Sequence, residues 1–247
     1  MIYKHLIQKS LRRHCLQSKT FSYVSVPIGD FEDFTLKAIR ILKESQCIIC
    51  EELKPARKLL KYLGLDFYHG KYDEKDSRVF LERFHENSSD DDKLFLKEML
   101  KQVKRVSYIS DCGSPIFEDP GNGLLGLLKG FDIQRVGGVS SLSYLMMYLP
   151  IHIKQFEMFG FLNRETSIRK SEINKIKSSK KCTFLMETPY RIQKFVKELE
   201  DNFKDWNIVF GYRLSMDDEK VICGKISKFS SKLKTLTKGE FVVFIYP

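Results

Sequence analysis

At 247 residues, 43% apolar and 30% charged, the chain is long enough for one large domain or two modest ones, and its composition excludes a disordered or disulfide-dense protein. No apolar run approaches the roughly 20 residues that span a bilayer. The start carries Lys4, Lys9, Arg12, Arg13 and Lys19 with no acid, and lacks the apolar core and cleavage site of a secretory signal, so the cytoplasm is the expected compartment. The formal charge of +10 fits a polyanionic partner such as RNA and bears on association, not on fold.

Residues 1–20 read as a basic N-terminal extension. Phe21 to Val26 follows as a strand ending in the loop Pro27-Ile28-Gly29-Asp30. Asp33 to Glu44 reads as a helix with Asp33 as N-cap, because Phe34, Ala38, Ile41 and Leu42 share one face. Gln46 to Cys50 is the next strand, and Pro55 to Leu63 a helix stopped by Gly64. Asp66 to His69 is a short strand. Asp76 to His85 and Asp92 to Lys104 read as amphipathic helices separated by a polar insert. Arg105 to Ile109 is a strand running into Ser110-Asp111-Cys112-Gly113-Ser114-Pro115. Leu124 to Lys129 reads as a helix and Phe131 to Val136 as a strand before Gly137-Gly138-Val139-Ser140-Ser141. This βα alternation implies a parallel sheet.

The second half changes spacing. Strands are expected at Phe156 to Phe161, Cys182 to Met186, Asn207 to Arg213, Val221 to Ile226 and Glu240 to Tyr246. Helices are expected at Ile168 to Ile176 and at Tyr190 to Phe203, with Pro189 in the first turn of the latter. The last two strands bracket a lysine-rich segment, and the short connections suggest a mixed, partly antiparallel sheet. The expected division is an N-terminal α/β domain at 21–138 and a C-terminal α/β domain at 139–247.

Three strands thus end in loops of small residues, at Pro27, at Ser110 to Pro115 and at Gly137 to Ser141. In an open α/β sheet such ends are where ligands bind, and small residues let a ligand approach the backbone. Phosphate-binding glycine motifs are missing from the sequence. The five histidines lie outside these loops, which argues against a histidine-based triad or a zinc site. Cys47 and Cys50 have metal-pair spacing but lie in a presumed buried strand, and read as core cysteines. Asp30 and Asp119 read as turn formers.

Val26-Pro27-Ile28-Gly29-Asp30, Cys50-Glu51-Glu52, Ser110-Asp111-Cys112-Gly113-Ser114-Pro115 with Asp119-Pro120-Gly121, and Gly138-Val139-Ser140-Ser141 together resemble the tetrapyrrole (corrin/porphyrin) methylase superfamily. Within it, Phe159-Gly160-Phe161-Leu162 and Glu187-Thr188-Pro189-Tyr190-Arg191 are most similar to the ribosomal RNA small subunit methyltransferase I branch and its shorter paralogues. The resemblance covers roughly residues 21 to 247, in the family's order. It implies an S-adenosylmethionine-dependent methyltransferase with two α/β domains, the first Rossmann-like and the second a mixed sheet, with the cofactor in the cleft between them, no metal, and a homodimeric assembly. Carried over by position, Pro27, Cys112, Gly113, Ser114, Phe117, Ser140, Ser141, Glu187 and Leu214 would bind the cofactor, with backbone contacts at Cys112 to Ser114.

The sequence departs from the family pattern at Asp30, at Glu51-Glu52-Leu53-Lys54, at Gly137-Gly138-Val139-Ser140 and at Arg213-Leu214-Ser215-Met216. The expected reaction is 2′-O-methylation of a ribose in small-subunit ribosomal RNA, with Arg164, Arg169, Lys170, Lys175 and Lys177 facing phosphates. Methylation of a tetrapyrrole or another small molecule, and a non-catalytic relative that keeps the cofactor, are the alternatives. Methyl transfer can rest largely on alignment. Glu51 and Glu187, at strand ends, are candidate bases, each with a structural role as the competing reading, and no residue is assigned as catalytic.

Overall fold

Phe21–Val24, Cys47–Cys50, Val79–Leu81 and Val106–Ile109 are continuous runs of buried side chains, the pattern of parallel strands covered on both faces. The computed structural model of the protein describes residues 19–85, 87–115, 120–233, 235–236 and 238–247. Residues 1–18, the larger part of the expected basic extension, lie outside them, as do Phe117 and Asp119. The chain divides into two compact units, one comprising the chain to Pro27 with Phe31–Val139, the other Ile28–Asp30 with Ser140–Pro247.

The first unit is built on β1 (Lys19–Val24), β2 (Cys47–Cys50), β3 (Phe67–Tyr68), β4 (Val79–Arg83), β5 (Arg105–Ile109) and β6 (Phe131–Val136). They form one sheet in the order β3-β4-β2-β5-β1-β6, with every pairing parallel. Helices α1 (Leu36–Glu44) and α2 (Leu53–Tyr62) cover one face through Ala38, Leu42, Ala56, Leu59 and Leu60. Helix α3 (Asp90–Gln102) covers the other through Leu96, Met99 and Leu100. Each such side chain fully buried contributes roughly 1.5–3 kcal/mol.

Local chemistry sets the element ends. Helix α2 stops in a Schellman motif, in which Gly64 has φ +66°, its N–H donates to Lys61 O, and Leu65 N–H donates to Leu60 O. Helix α3 starts on a capping box, Ser89 Oγ accepting from Asp92 N–H while Asp92 accepts from Ser89 N–H. Helix α1 begins later than expected. A 3₁₀ turn occupies Phe31–Asp33, and Thr35, not Asp33, is the N-cap, its Oγ1 accepting from Ala38 N–H at 3.1 Å.

Two expected helices are corrected. Asp76 to His85 contains strand β4, which pairs with both β2 and β3. A short buried apolar run does not reveal its own period, and two open strand edges decide the matter. In Leu124 to Lys129, residues up to Leu127 belong to a 3₁₀ segment at Pro120–Leu127 and the last two are not helical.

The second unit contains β7 (Glu157–Phe161), β8 (Thr183–Glu187), β9 (Asn207–Tyr212), β10 (Lys220–Lys225) and β11 (Phe241–Tyr246), ordered β10-β9-β11-β8-β7. Only β7 and β8 run parallel, so the sheet is mixed, as the short connections suggested. Helices α5 (Thr166–Ser179), α6 (Ile192–Phe203) and α7 (Ile226–Leu233) bring Ile173, Ile176, Phe195, Val196, Leu199 and Leu233 onto Leu185, Phe210 and Val243. The short helix α4 (Ser141–Met146) and α7 carry no helix expectation from the sequence. Among the described residues no helix is long and apolar enough to cross a membrane.

Candidate functional site

In the first unit, β1 lies between β5 and β6, which makes the loops after all three strands neighbours at one edge of the sheet. Ser25 N–H donates to Val136 O at 2.9 Å, and Val26 N–H donates to Gly113 O at 2.8 Å. Gly113 N–H donates back to Pro27 O at 3.4 Å. The Ser25 and Ser114 hydroxyls are 2.9 Å apart and hydrogen-bonded. Gly138 lies so close that a Cβ there would sit 2.8 Å from Ser25 Cβ. Gly113 has φ +70°, a conformation that costs a side-chain-bearing residue roughly 1–2 kcal/mol. The three loops picked out in the sequence therefore meet within this unit.

The end of β2 joins them. Glu52 N–H donates to Asp111 Oδ1 at 3.1 Å, and Asp111 N–H donates to Glu51 Oε2 at 3.5 Å. Glu51 thus serves as an acceptor for loop backbone, the structural role weighed against catalysis. Of the residues that the resemblance singled out, Pro27 and Gly113 are buried here while Cys112 and Ser114 are exposed. Gly113 turns both its backbone groups to the first loop and so closes it. Ser110 Oγ donates to Cys112 O at 3.1 Å. Cys47 and Cys50 belong to core clusters on opposite faces of the sheet, so they cannot share an ion, and burial raises both thiol pKa values well above the usual range. No group of three or more His, Cys, Asp or Glu among the described residues could hold a metal.

In the second unit, Glu187 ends β8 and is only 2% exposed at its side chain, facing Arg169 at 3%. Arg169 donates to Glu187 Oε2 at 2.7 Å, to both oxygens of Glu198 at 2.7–3.0 Å, and to Leu162 O at 3.1 Å. Thr188 N–H donates to the other Glu187 oxygen at 2.8 Å. Burial works against the Arg169 charge, but the hydrogen bonds to Glu198 and Glu187 outweigh it and hold the guanidinium pKa above its ordinary value. Arg169 therefore does not face phosphates, contrary to the expectation drawn from its place in a basic helix. Its spacing with Ile173 and Ile176 (i, i+4, i+7) places it on the buried face, and that signal was present in the sequence.

Leu214 sits between two residues of positive φ, Arg213 at 50° and Ser215 at 63°. Such backbone costs about 1–3 kcal/mol per residue and persists only where surroundings over-determine it. Arg213 Nε donates to Asp218 at 2.6 Å, Ser215 N–H donates to Glu219 Oε2 at 2.6 Å, and Tyr148 OH donates to Glu219 Oε1 at 2.6 Å. Asp30 N–H donates to Ser215 Oγ at 3.0 Å, and Gly29 packs where a Cβ would lie 2.6 Å from Leu214 O. Sequence reading missed Glu219, Tyr144 and Tyr148. Burial, then Glu219, pushes the Tyr144 pKa up to about 12. Burial alone would raise Glu219, yet Tyr148 and the Ser215 N–H hold it below the usual carboxylate value. Ser140 is the N-cap position of α4 and Ser141 its first residue, both half-buried.

The first unit's strand ends carry serine hydroxyls and no lysine or arginine in 25–27, 110–115 or 137–139, a lining compatible with an uncharged nucleoside. The cofactor implied by the resemblance meets that condition, since its adenosine bears no phosphate.

Residues 20–230 match the family model described as Tetrapyrrole (Corrin/Porphyrin) Methylases. Curated relatives include ribosomal RNA small subunit methyltransferase I of Leptospira biflexa, 26% identical over 90% of this chain and 88% of that protein. The protein of the same description from Coprothermobacter proteolyticus is 29% identical over 91% and 96%. Solved structures of similar fold include the methyltransferase CobJ, with TM-score 0.66 and 12% identity over 93% of this chain and 94% of that one. Uroporphyrin-III C-methyl transferase from Thermus thermophilus, complexed with S-adenosyl homocysteine, has TM-score 0.60 and 16% identity over 92% and 97%. At these identities the structures speak for the fold alone.

Proposed function

The chain belongs to the tetrapyrrole (corrin/porphyrin) methylases and is an S-adenosylmethionine-dependent methyltransferase, and from this premise we propose that its acceptor is a ribose 2′-hydroxyl of small-subunit ribosomal RNA. The observation that carries the reading is the match, over about nine-tenths of the chain, to relatives described as ribosomal RNA small subunit methyltransferase I. The net charge of +10 supports it, since phosphate neutralisation dominates affinity for RNA.

Pro27, Cys112, Gly113 and Ser114 of the first unit, and Ser140, Ser141, Glu187 and Leu214 of the second, are the residues that would hold the cofactor. Phe117 joins them by position in the motif. When bound, the cofactor supplies a methyl on a sulfonium, open to in-line attack. The protein's share of the work is alignment, which can lower a barrier by several kcal/mol. Hydroxyls and backbone from rigid strand ends suit that task. Glu51 and Glu187 are committed to Asp111 N–H and to Arg169, so neither is assigned as a base.

The proposed domains are 21–138 and 139–247, which differ from the two compact units at Ile28–Asp30 and at Val139, and the proposed assembly is a homodimer acting in the cytoplasm, where ribosomes are modified. Mapping ribose methylation in small-subunit ribosomal RNA from cells with and without the protein tests the acceptor. One missing 2′-O-methyl group is expected, and an unchanged map removes the proposal. Calorimetry with S-adenosylmethionine checks the residue assignment. Gly113→Val should abolish binding at some cost in stability, since its φ is +70°. Cys112→Trp, at an exposed position of the same loop, should weaken binding without that cost, and undiminished affinity in both would refute the placement of that loop.

A further inference from the structure

Tyr190 leaves 76% of its surface exposed, more than any other aromatic side chain among the described residues. A lone exposed ring needs no explanation, but this one is pinned. Lys238 Nζ lies 4.0 Å from the ring centroid and donates to the phenol oxygen at 2.7 Å. The backbone beneath is a 3₁₀ turn, Pro189–Arg191, fixed by proline and by Arg191 N–H donating to Thr188 O at 3.0 Å. Gln193 Nε2 donates to Leu236 O at 2.7 Å, which ties the segment before Lys238 to the start of α6. Lys194, one turn further on, is exposed.

An aromatic face with the Lys238 ammonium against it and exposed Lys194 one turn further along the chain meets the two needs of an unpaired nucleotide. The ring takes the base by stacking, which tolerates any sequence, and the lysines take the flanking phosphates. Because the ring is already fixed, less conformational freedom is lost on binding. A base stacked inside a duplex has no free face to offer, so the site selects single strands. Resting on the ribosomal RNA reading above, we propose that Tyr190 with Lys238 and Lys194 is a stacking platform for an unpaired nucleotide of the RNA acceptor. The turn that carries Tyr190 begins two residues after Glu187, which places RNA recognition and a cofactor-assigned residue on one short stretch of chain.

Fluorescence anisotropy with a labelled single-stranded oligoribonucleotide, and with the same strand paired into a duplex, tests this. Tyr190→Ala should weaken single-strand binding about tenfold with little effect on the duplex. Tyr190→Phe, which keeps the ring, should stay within about threefold of wild type. Lys238→Gln should reduce the slope of log affinity against log salt by about 0.7, the value for one phosphate contact on a single strand. Calorimetric affinity for S-adenosylmethionine should be the same in all three variants, which separates a lost RNA contact from a damaged fold. Equal single-strand binding by wild type and Tyr190→Ala overturns the platform, and transfer of labelled methyl to small ribosomal subunits by both would leave the ribosomal reading standing. Wild-type protein that binds the cofactor but neither single strands nor small subunits overturns both.

Discussion

At the ends of β1, β5 and β6 the first unit fixes its loops with backbone hydrogen bonds, a pair of serine hydroxyls and glycines. The second unit fixes the ends of β8 and β9 with carboxylates. Glu187 and Glu198 hold Arg169, Asp218 holds Arg213, and Glu219 gathers Ser215 and Tyr148. The first arrangement is intolerant of added volume and uses carboxylates only where Asp111 and Glu51 join the end of β2. The second depends on charges staying in place. Two halves of one binding protein can thus be held by unrelated forces, and each has its own way of failing.

The largest effect should come from breaking the buried charges. Arg169→Met leaves Glu187 without its principal partner, and removal of one member of such a pair typically costs about 3–5 kcal/mol. Urea denaturation should show this loss, and adding Glu187→Gln to the same chain should recover part of it. A loss under about 1 kcal/mol would mean that these carboxylates do not depend on their cation.

The steric counterpart is Gly138→Ala, whose Cβ would meet Ser25 Cβ at 2.8 Å. Overpacking of this kind costs about 1–3 kcal/mol. Ser25→Gly in the same chain should relieve the clash, and a double variant as unstable as the single one would place the strain elsewhere.

The pH response should separate the units further. Glu219 has a lowered pKa in the folded protein, so its contribution is present above the unfolded value and is lost as pH falls through the folded one, in the acid range. Tyr144 has a raised pKa of about 12. Its contribution is complete below the unfolded value near 10 and is lost as pH rises towards 12. Glu219→Ala should cost about 1–2 kcal/mol at neutral pH through the lost charge-assisted hydrogen bonds and should flatten the alkaline decline seen in thermal melts. An alkaline profile unchanged by Glu219→Ala would detach Tyr144 from this cluster.

The smallest effect belongs to Thr35→Ala, which removes the α1 cap and should lower stability by about 1 kcal/mol, with Asp33→Ala lowering it less. Equal losses would restore Asp33 as the functional cap.

Much of the fold was legible because β1, β2 and β5 are short, mainly apolar runs spaced by helix-length segments, and β1, β5 and β6 end in small residues. The convergence of the three loops followed from the same signal. Strand β4 was not legible, because Val79, Phe80 and Leu81 fit a helix as readily as a strand until β2 and β3 supply partners on either side. The buried role of Arg169 was written in its spacing with Ile173 and Ile176 but was masked by the lysines around it. Glu219 and the two tyrosines were beyond reach for a different reason. Tyr148 and Glu219 are 71 residues apart, and nothing local in either segment announces the other.

Ile28–Asp30 departs from the first unit and belongs with the second, anchored by Asp30 on Ser215, 185 residues later in the chain. This gives the protein a timetable. Chains leave the ribosome at about 5–20 residues per second, so Asp30 is made roughly 10–40 s before its partner. Once synthesis has passed Val136 the first sheet has all its strands, while the segment joining β1 to α1 lacks its anchor until Ser215 is made. Cleavage between Ile28 and Asp30 by a probe protease should therefore mark nascent chains and spare finished ones, which makes this short excursion a built-in record of whether synthesis has passed Ser215.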